Sequence, residues 1–133
     1  IPSLWEKMEE MKGHEMDKIH ALFKNQDERL EAKRRIMELG DLSISDSMGT
    51  NLEINAPGVN KGMGLLQLGK LLGIRREEIM ACGDGNNDLM MLKEVGFGVA
   101  MANGADEVKE VADYITLSNE EDGVAAAIEK FVL

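Results

Sequence analysis

The apolar positions of this 133-residue chain change their spacing partway along. In the first part they are sparse. Leu4, Met8 and Met11 recur at helical spacing behind a Ser3–Glu6 capping-box pair, and Gly13 follows as a stop, which predicts a helix over 3–12. Residues 18–24 (KIHALFK) read as a strand, and 27–39 as a charged helix closed by Gly40. The short alternating runs 42–45 and 52–55 would pair as a hairpin across 46–51. Ala56-Pro57-Gly58 interrupts the pattern and places a domain boundary, with units 1–57 and 58–133 expected.

Beyond the break, strand and helix alternate at short intervals. Residues 61–72 form a helical pattern with Leu65, Leu68 and Leu72 in phase and Gly73 as its stop. Residues 79–82 are a continuous apolar strand of the kind buried on both faces in parallel sheets. A helix over 87–95, a strand over 97–101, a helix over 105–112 and a strand over 114–117 follow. The last helix, 120–131, would carry Val124, Ile128 and Phe131 on one face. Such alternation predicts an α/β fold with a parallel sheet.

Composition narrows the function classes. A formal charge of −10 argues against nucleic acid or an anionic membrane as partner, because either would be repelled. Aromatics are only 4%, so aliphatic residues and the ten methionines are expected to fill the core. The single cysteine, Cys82, excludes an internal disulfide, and its apolar neighbours predict a buried thiol. With no signal-peptide pattern and no apolar run near 20 residues, a cytoplasmic location is expected. The chain opens Ile1-Pro2 without an initiator Met, which suggests a fragment.

The chemistry concentrates in GDGNND, residues 83–88, where the strand pattern gives way to a helix pattern. Gly, Asn and Asp favour turns in any protein. Here, however, the acids converge at the C-terminal end of a predicted parallel strand, the position where open α/β sheets bind ligands. A calcium loop fails twice: starting from Asp84, position six would be Leu89 instead of Gly, and position twelve Val95 instead of Glu. A magnesium and phosphate site fits better. Asp84 would meet the cation, Gly85 would permit the tight turn, Asn87 could donate to a phosphate oxygen, and Asp88 could orient Asp84's partners or a water. The helix start beneath would favour an anion.

With LMML after it, then FGVAMANGADEVKEVADYIT and SNEEDGVA, this loop resembles the C-terminal half of a haloacid-dehalogenase (HAD) superfamily phosphatase of the Cof type. The resemblance is dense over about 59–133. Residues 1–55 resemble more weakly the last part of the α/β cap domain that such enzymes insert. The fold implied is thus the second half of a HAD-like Rossmannoid core preceded by part of a cap. The activity implied is hydrolysis of small phosphorylated metabolites, notably sugar phosphates, through an aspartyl-phosphate with Mg2+. The resemblance makes Asp84 a metal ligand and Asp88 a second acidic residue of metal and catalysis. It makes Asn87 a phosphate contact, and Lys61 in VNKG the lysine that meets phosphate and nucleophile.

The family's nucleophile lies in a DxDGT-like motif. The nearest string here is Asp46-Ser47-Met48-Gly49-Thr50, with Met48 where the second Asp belongs and only ten residues between Thr50 and Lys61. It reads as a hairpin turn. The chain alone is therefore expected to lack turnover. Its 79–82 strand would present an open apolar edge, to be met by the missing half of the fold or by a second copy. Two alternatives remain: a non-catalytic module that binds magnesium or a partner, and the phosphorylation domain of a cation-pumping ATPase. His14 and His20 read as local structure, and Glu9-Glu10 and 28–35 as solvated helix faces. Asn103 could reach the site's rim or cap the helix after it, and Trp5 could pack in the cap remnant.

Overall fold

The structure, a computed structural model, describes residues 6, 9–10, 12–13, 17–46 and 49–133. Most of the first expected helix, together with His14 and Trp5, lies outside the described residues.

The first unit is an antiparallel sheet of three strands in the order β1-β3-β2. They are β1 (Ile19–Leu22), β2 (Ser43–Ser45) and β3 (Asn51–Asn55). Between β1 and β2 runs α1 (Gln26–Met37), capped by the Asn25 side chain, with Asp27 and Glu28 in its first turn and Arg34 and Arg35 in its last. Residues 42–45 and 52–55 do form the expected hairpin, with Ser43 opposite Asn55 and Ser45 opposite Glu53. Alternation then sorts the faces. Leu52, fully buried, and Ile54 share one face of β3, while Glu53 and Asn55 share the other. One expectation for α1 fails: Arg29 is 7% exposed, because its guanidinium turns inward to Asp46 at 2.8 Å.

The second unit begins with α2 (Lys61–Leu72) and continues as a parallel sheet ordered β4-β5-β6. Its strands are β4 (Met80–Gly83), β5 (Phe97–Ala100) and β6 (Tyr114–Ile115). The helices α3 (Leu89–Glu94), α4 (Asp106–Val111) and α5 (Gly123–Phe131) alternate with them. Ile79, Ala81, Leu92, Val95, Ala100 and Val108 form the core. Gly73, in the left-handed conformation at φ 71°, ends α2 where the sequence placed its stop.

Three packing expectations are corrected. In α2 the buried positions are Gly62 and Gly69, while Leu68 and Leu72 are exposed. The reason is close approach: a Cβ on Gly62 would lie 3.0 Å from the Met91 backbone, and one on Gly69 would lie 2.8 Å from Ile79 Cδ1. α5 starts at Gly123, after a separate 3-10 turn over Asn119–Glu121, and buries Gly123 and Ala127; Val124, Ile128 and Phe131 stay partly in solvent. β4 is an edge strand whose Ala81 and Gly83 face inward, while Met80 and Cys82 are only half-buried. The methionines likewise divide: Met101 is buried, but Met37, Met63 and Met90 are exposed.

Candidate functional site

The GDGNND segment leaves the tip of β4. Asp84 follows the strand and is exposed. Asn86–Asp88 make one 3-10 turn, closed by the Asp88 amide donating to the Gly85 carbonyl at 2.8 Å. This turn leads into α3. Asp88 is buried at 6% exposure. Its Oδ2 accepts from the backbone amides of Asp84 at 3.0 Å and Gly85 at 3.2 Å, and its Oδ1 accepts from Lys61 Nζ, which reaches over from the first residue of α2. Gly83 makes room: a Cβ there would fall 2.5 Å from Asp88 Cβ. Burial pushes the Asp88 carboxyl up, but the Lys61 hydrogen bond, the two amides and the Lys61 charge outweigh it and hold it below its ordinary value.

The two amides just ahead of the turn, those of Asp84 and Gly85, are taken by the carboxylate of Asp88 itself. Asp88 thereby ties Lys61 to the loop that carries Asp84.

A second loop braces Asp84. After β5 the chain turns through Ala102–Gly104, and the Ala105 amide donates to the Asp84 carbonyl at 2.9 Å. Gly104 permits this approach, since a Cβ on it would lie 3.1 Å from Asp84 Cα. Asn103 does not cap α4, whose start at Ala105 has no side-chain cap bond. Its Oδ1 accepts from the Asn119 backbone amide at 2.9 Å, and its Nδ2 faces Asp84 Oδ2 at 3.5 Å. An amide N–H can only donate, so Asn119 fixes which end of the Asn103 side chain points at Asp84.

Lys61 and Asn87 meet on a groove of about 820 Å3 that opens toward the first sheet. Asn60, Asn86 and Met90 line it beside them; opposite stand Ser43, Ser45, Asp46, Glu53, Asn55, Lys18 and Lys33. None of these sheet-side residues was singled out from sequence as a ligand contact. The signal available was parity: Ser43 and Ser45, Glu53 and Asn55 occupy alternate positions of their strands. His20 plays the local role expected of it, with its Nε2 3.1 Å from Asn51 Nδ2.

Among the described residues no group of three or more His, Cys, Asp and Glu side chains could enclose a metal ion. The donors at the strand tip are nonetheless hard oxygens, with an exposed carboxylate on Asp84 and a second carboxylate behind it on Asp88. That set fits magnesium, which takes one or two carboxylates and leaves its other positions to water and substrate phosphate. It does not fit a closed, protein-only cage.

A parallel α/β sheet with an acidic loop at a strand tip and a lysine from the preceding helix defines the class. The chain belongs to the haloacid dehalogenase-like hydrolase family, whose model matches residues 4–128. It is 45% identical over 125 residues to the 5-amino-6-(5-phospho-D-ribitylamino)uracil phosphatase YcsE of Bacillus subtilis, covering 94% of this chain and 50% of that protein. A phosphoglycolate phosphatase of Methanosarcina acetivorans is 37% identical over 105 residues, covering 77% of this chain and 46% of that protein. Among solved structures, a haloacid dehalogenase-like hydrolase from B. subtilis superposes with a TM-score of 0.83 at 34% identity, over all of this chain and 46% of that one. A HAD subclass IIB sugar phosphatase, BT4131, gives 0.80 at 31% identity, over 92% and 46%. The chain spans about half the length of each of these four proteins. Among the described residues no helix is long and apolar enough to cross a membrane.

Proposed function

We propose that this chain supplies the cation- and phosphate-binding half of a phosphomonoesterase acting on small phosphorylated metabolites, sugar phosphates among them. The observation that carries this reading is the meeting of Lys61 with the buried Asp88 beneath the strand-tip loop, beside a groove that Asn87 also lines. The phosphatases among its relatives support it.

In this reading the Lys61 ammonium faces the phosphoryl oxygens, and Asn87 donates a further hydrogen bond to them. The hydrogen bond to Asp88 keeps Lys61 directed at the groove. Asp84, with Asp88 behind it, holds Mg2+, which would supply Lewis-acid stabilisation of phosphoryl charge. Asn103 orients Asp84. The accepting carboxylate belongs to the missing half of the fold, since DSMGT is the only near match here and its Asp46 is paired with Arg29. That half would also pair along β4, the open edge of the parallel sheet.

The test is hydrolysis of p-nitrophenyl phosphate by the full-length gene product, with Mg2+ and with a chelator. Magnesium-dependent turnover, abolished by Asp84→Asn and lowered at least 100-fold by Lys61→Met, is expected. Magnesium binding without turnover on any phosphomonoester would instead favour a non-catalytic module.

A further inference from the structure

The turn after β6 is held at several points, and it is held against the loop that braces Asp84. Thr116 Oγ1 donates to the Gly123 carbonyl at 2.7 Å, a buried bond that closes the turn at its base. Within the turn the Glu121 carboxylate accepts from Ser118 Oγ at 2.7 Å and from the Ser118 amide at 3.4 Å. The amides of Glu121 and Gly123 donate to the Ser118 carbonyl at 3.1 and 3.0 Å. Asp122 stands at φ 55°, and among the described residues it is the only non-glycine in the left-handed region.

These contacts fix one outward-pointing group. Asn119 opens the 3-10 turn, so its amide has no partner inside that turn. It donates instead to Asn103 Oδ1 at 2.9 Å. The loop carrying Asn103 is tied on both sides: the Ala102 amide donates to the Leu117 carbonyl at 3.2 Å, and the Ala105 amide to the Asp84 carbonyl at 2.9 Å. Asn103 and Asp84 are themselves exposed, so hydrogen bonds more than close packing select their rotamers. Without the Asn119 amide, Asn103 could present its carbonyl oxygen to Asp84 in place of its N–H, and two acceptors would then repel.

We propose that the backbone amide of Asn119 is a positioning group for the cation site: it fixes the Asn103 side chain, which fixes the Asp84 carboxylate that meets Mg2+. This role rests on the phosphatase reading above and adds to it the turn over 118–122. It also assigns the work to the main chain of Asn119 and not to its side chain, which bonds only its neighbour Glu120 at 3.0 Å.

That distinction is testable, because Asn119→Pro removes the one N–H. Proline is accommodated at the first position of a helical turn, and Ser118 already has the extended backbone that a following proline requires, at φ −71° and ψ 168°. Calorimetric titration of the full-length gene product with Mg2+ reads the effect, at a temperature where each variant is folded. Asn119→Pro should raise the Mg2+ dissociation constant about fivefold, less than the loss of about tenfold or more that follows removal of a metal ligand's direct partner. Asn119→Ala, which keeps the amide, should weaken binding much less than Asn119→Pro. In an Asn103→Ala background the proline should add no further loss, since the route through Asn103 is already cut. Glu121→Ala loosens the turn without touching the amide; it should weaken Mg2+ binding in the same direction, and again only where Asn103 is present. Equal losses from Asn119→Ala and Asn119→Pro would overturn the positioning role, as would a proline effect undiminished in the Asn103→Ala background. If the proline variant does not fold, unchanged affinity in Glu121→Ala overturns it instead. An unmodified protein that binds no Mg2+ would overturn the cation-site reading itself, and the role of Asn119 with it.

Discussion

Lys61 and Asp88 are 27 residues apart in the chain, yet Lys61 Nζ donates to Asp88 Oδ1 while two backbone amides hold the other carboxylate oxygen. One buried side chain thus joins the first residue of α2 to the loop after β4. The carboxyl is held below its ordinary value despite burial, so its contribution to stability is present above that ordinary value and is lost as pH falls through the folded one. Asp88→Asn should cost about 1–3 kcal/mol at neutral pH. Its urea midpoint should also fall less than that of the unmodified protein as pH drops below about 4. Urea titrations at pH 7 and pH 3 read both effects.

Gly83→Ala tests the same contact from the other side. The new methyl would sit 2.5 Å from Asp88 Cβ, so Asp88 must shift and release Lys61 or the amides. A loss of about 1–3 kcal/mol is expected. Phosphatase activity should fall further than the lost stability explains, as seen in kcat at a temperature where the variant is still folded.

Asn103 acts at one remove, through Asp84. Asn103→Ala should raise the magnesium concentration needed for half-maximal turnover by about tenfold, the usual scale for a group that orients a metal ligand. A merely structural role would lower the melting temperature and leave the magnesium dependence where it was. Calorimetric titration with Mg2+ checks the effect without turnover.

Cys82 reports on the open edge of β4. Burial pushes its thiol up, so at pH 8 it should react with a disulfide reagent more slowly than a free thiol does. Slower labelling still is expected in the full-length gene product, where the proposed partner strand covers β4. Equal rates in the two proteins would count against pairing along that edge.

The sequence made much of this fold legible because each signal was local. The α2 boundaries followed from Lys61 through Leu72 with Gly73 behind, and the hairpin from alternation on either side of Asp46. The strand-tip position of GDGNND followed from its apolar flanks. What misled was periodicity taken as burial. Leu68 and Leu72 are in phase but exposed, because α2 approaches its neighbours on its glycine side, where backbone can come closest. Arg29 looked like one of a run of solvated charges, and only the return of β2 brought Asp46 within its reach.

The sequence by itself determined the alternation of elements, the acidic loop and the identity of Lys61, Asp84, Asn87 and Asp88 as candidates, since these depend on spacing and side-chain chemistry within a few residues. Tertiary structure alone decided their division of labour. It turned the carboxylate of Asp88 back onto its own loop, chose the Asp84 side for Asn103, and set the polar face of a separate sheet across the groove from Lys61. The physical reason is distance along the chain. A carboxylate's partners depend on which donors the fold delivers to it, and Lys61, Asn103 and Ser45 arrive there only when strands and helices far apart in sequence pack together.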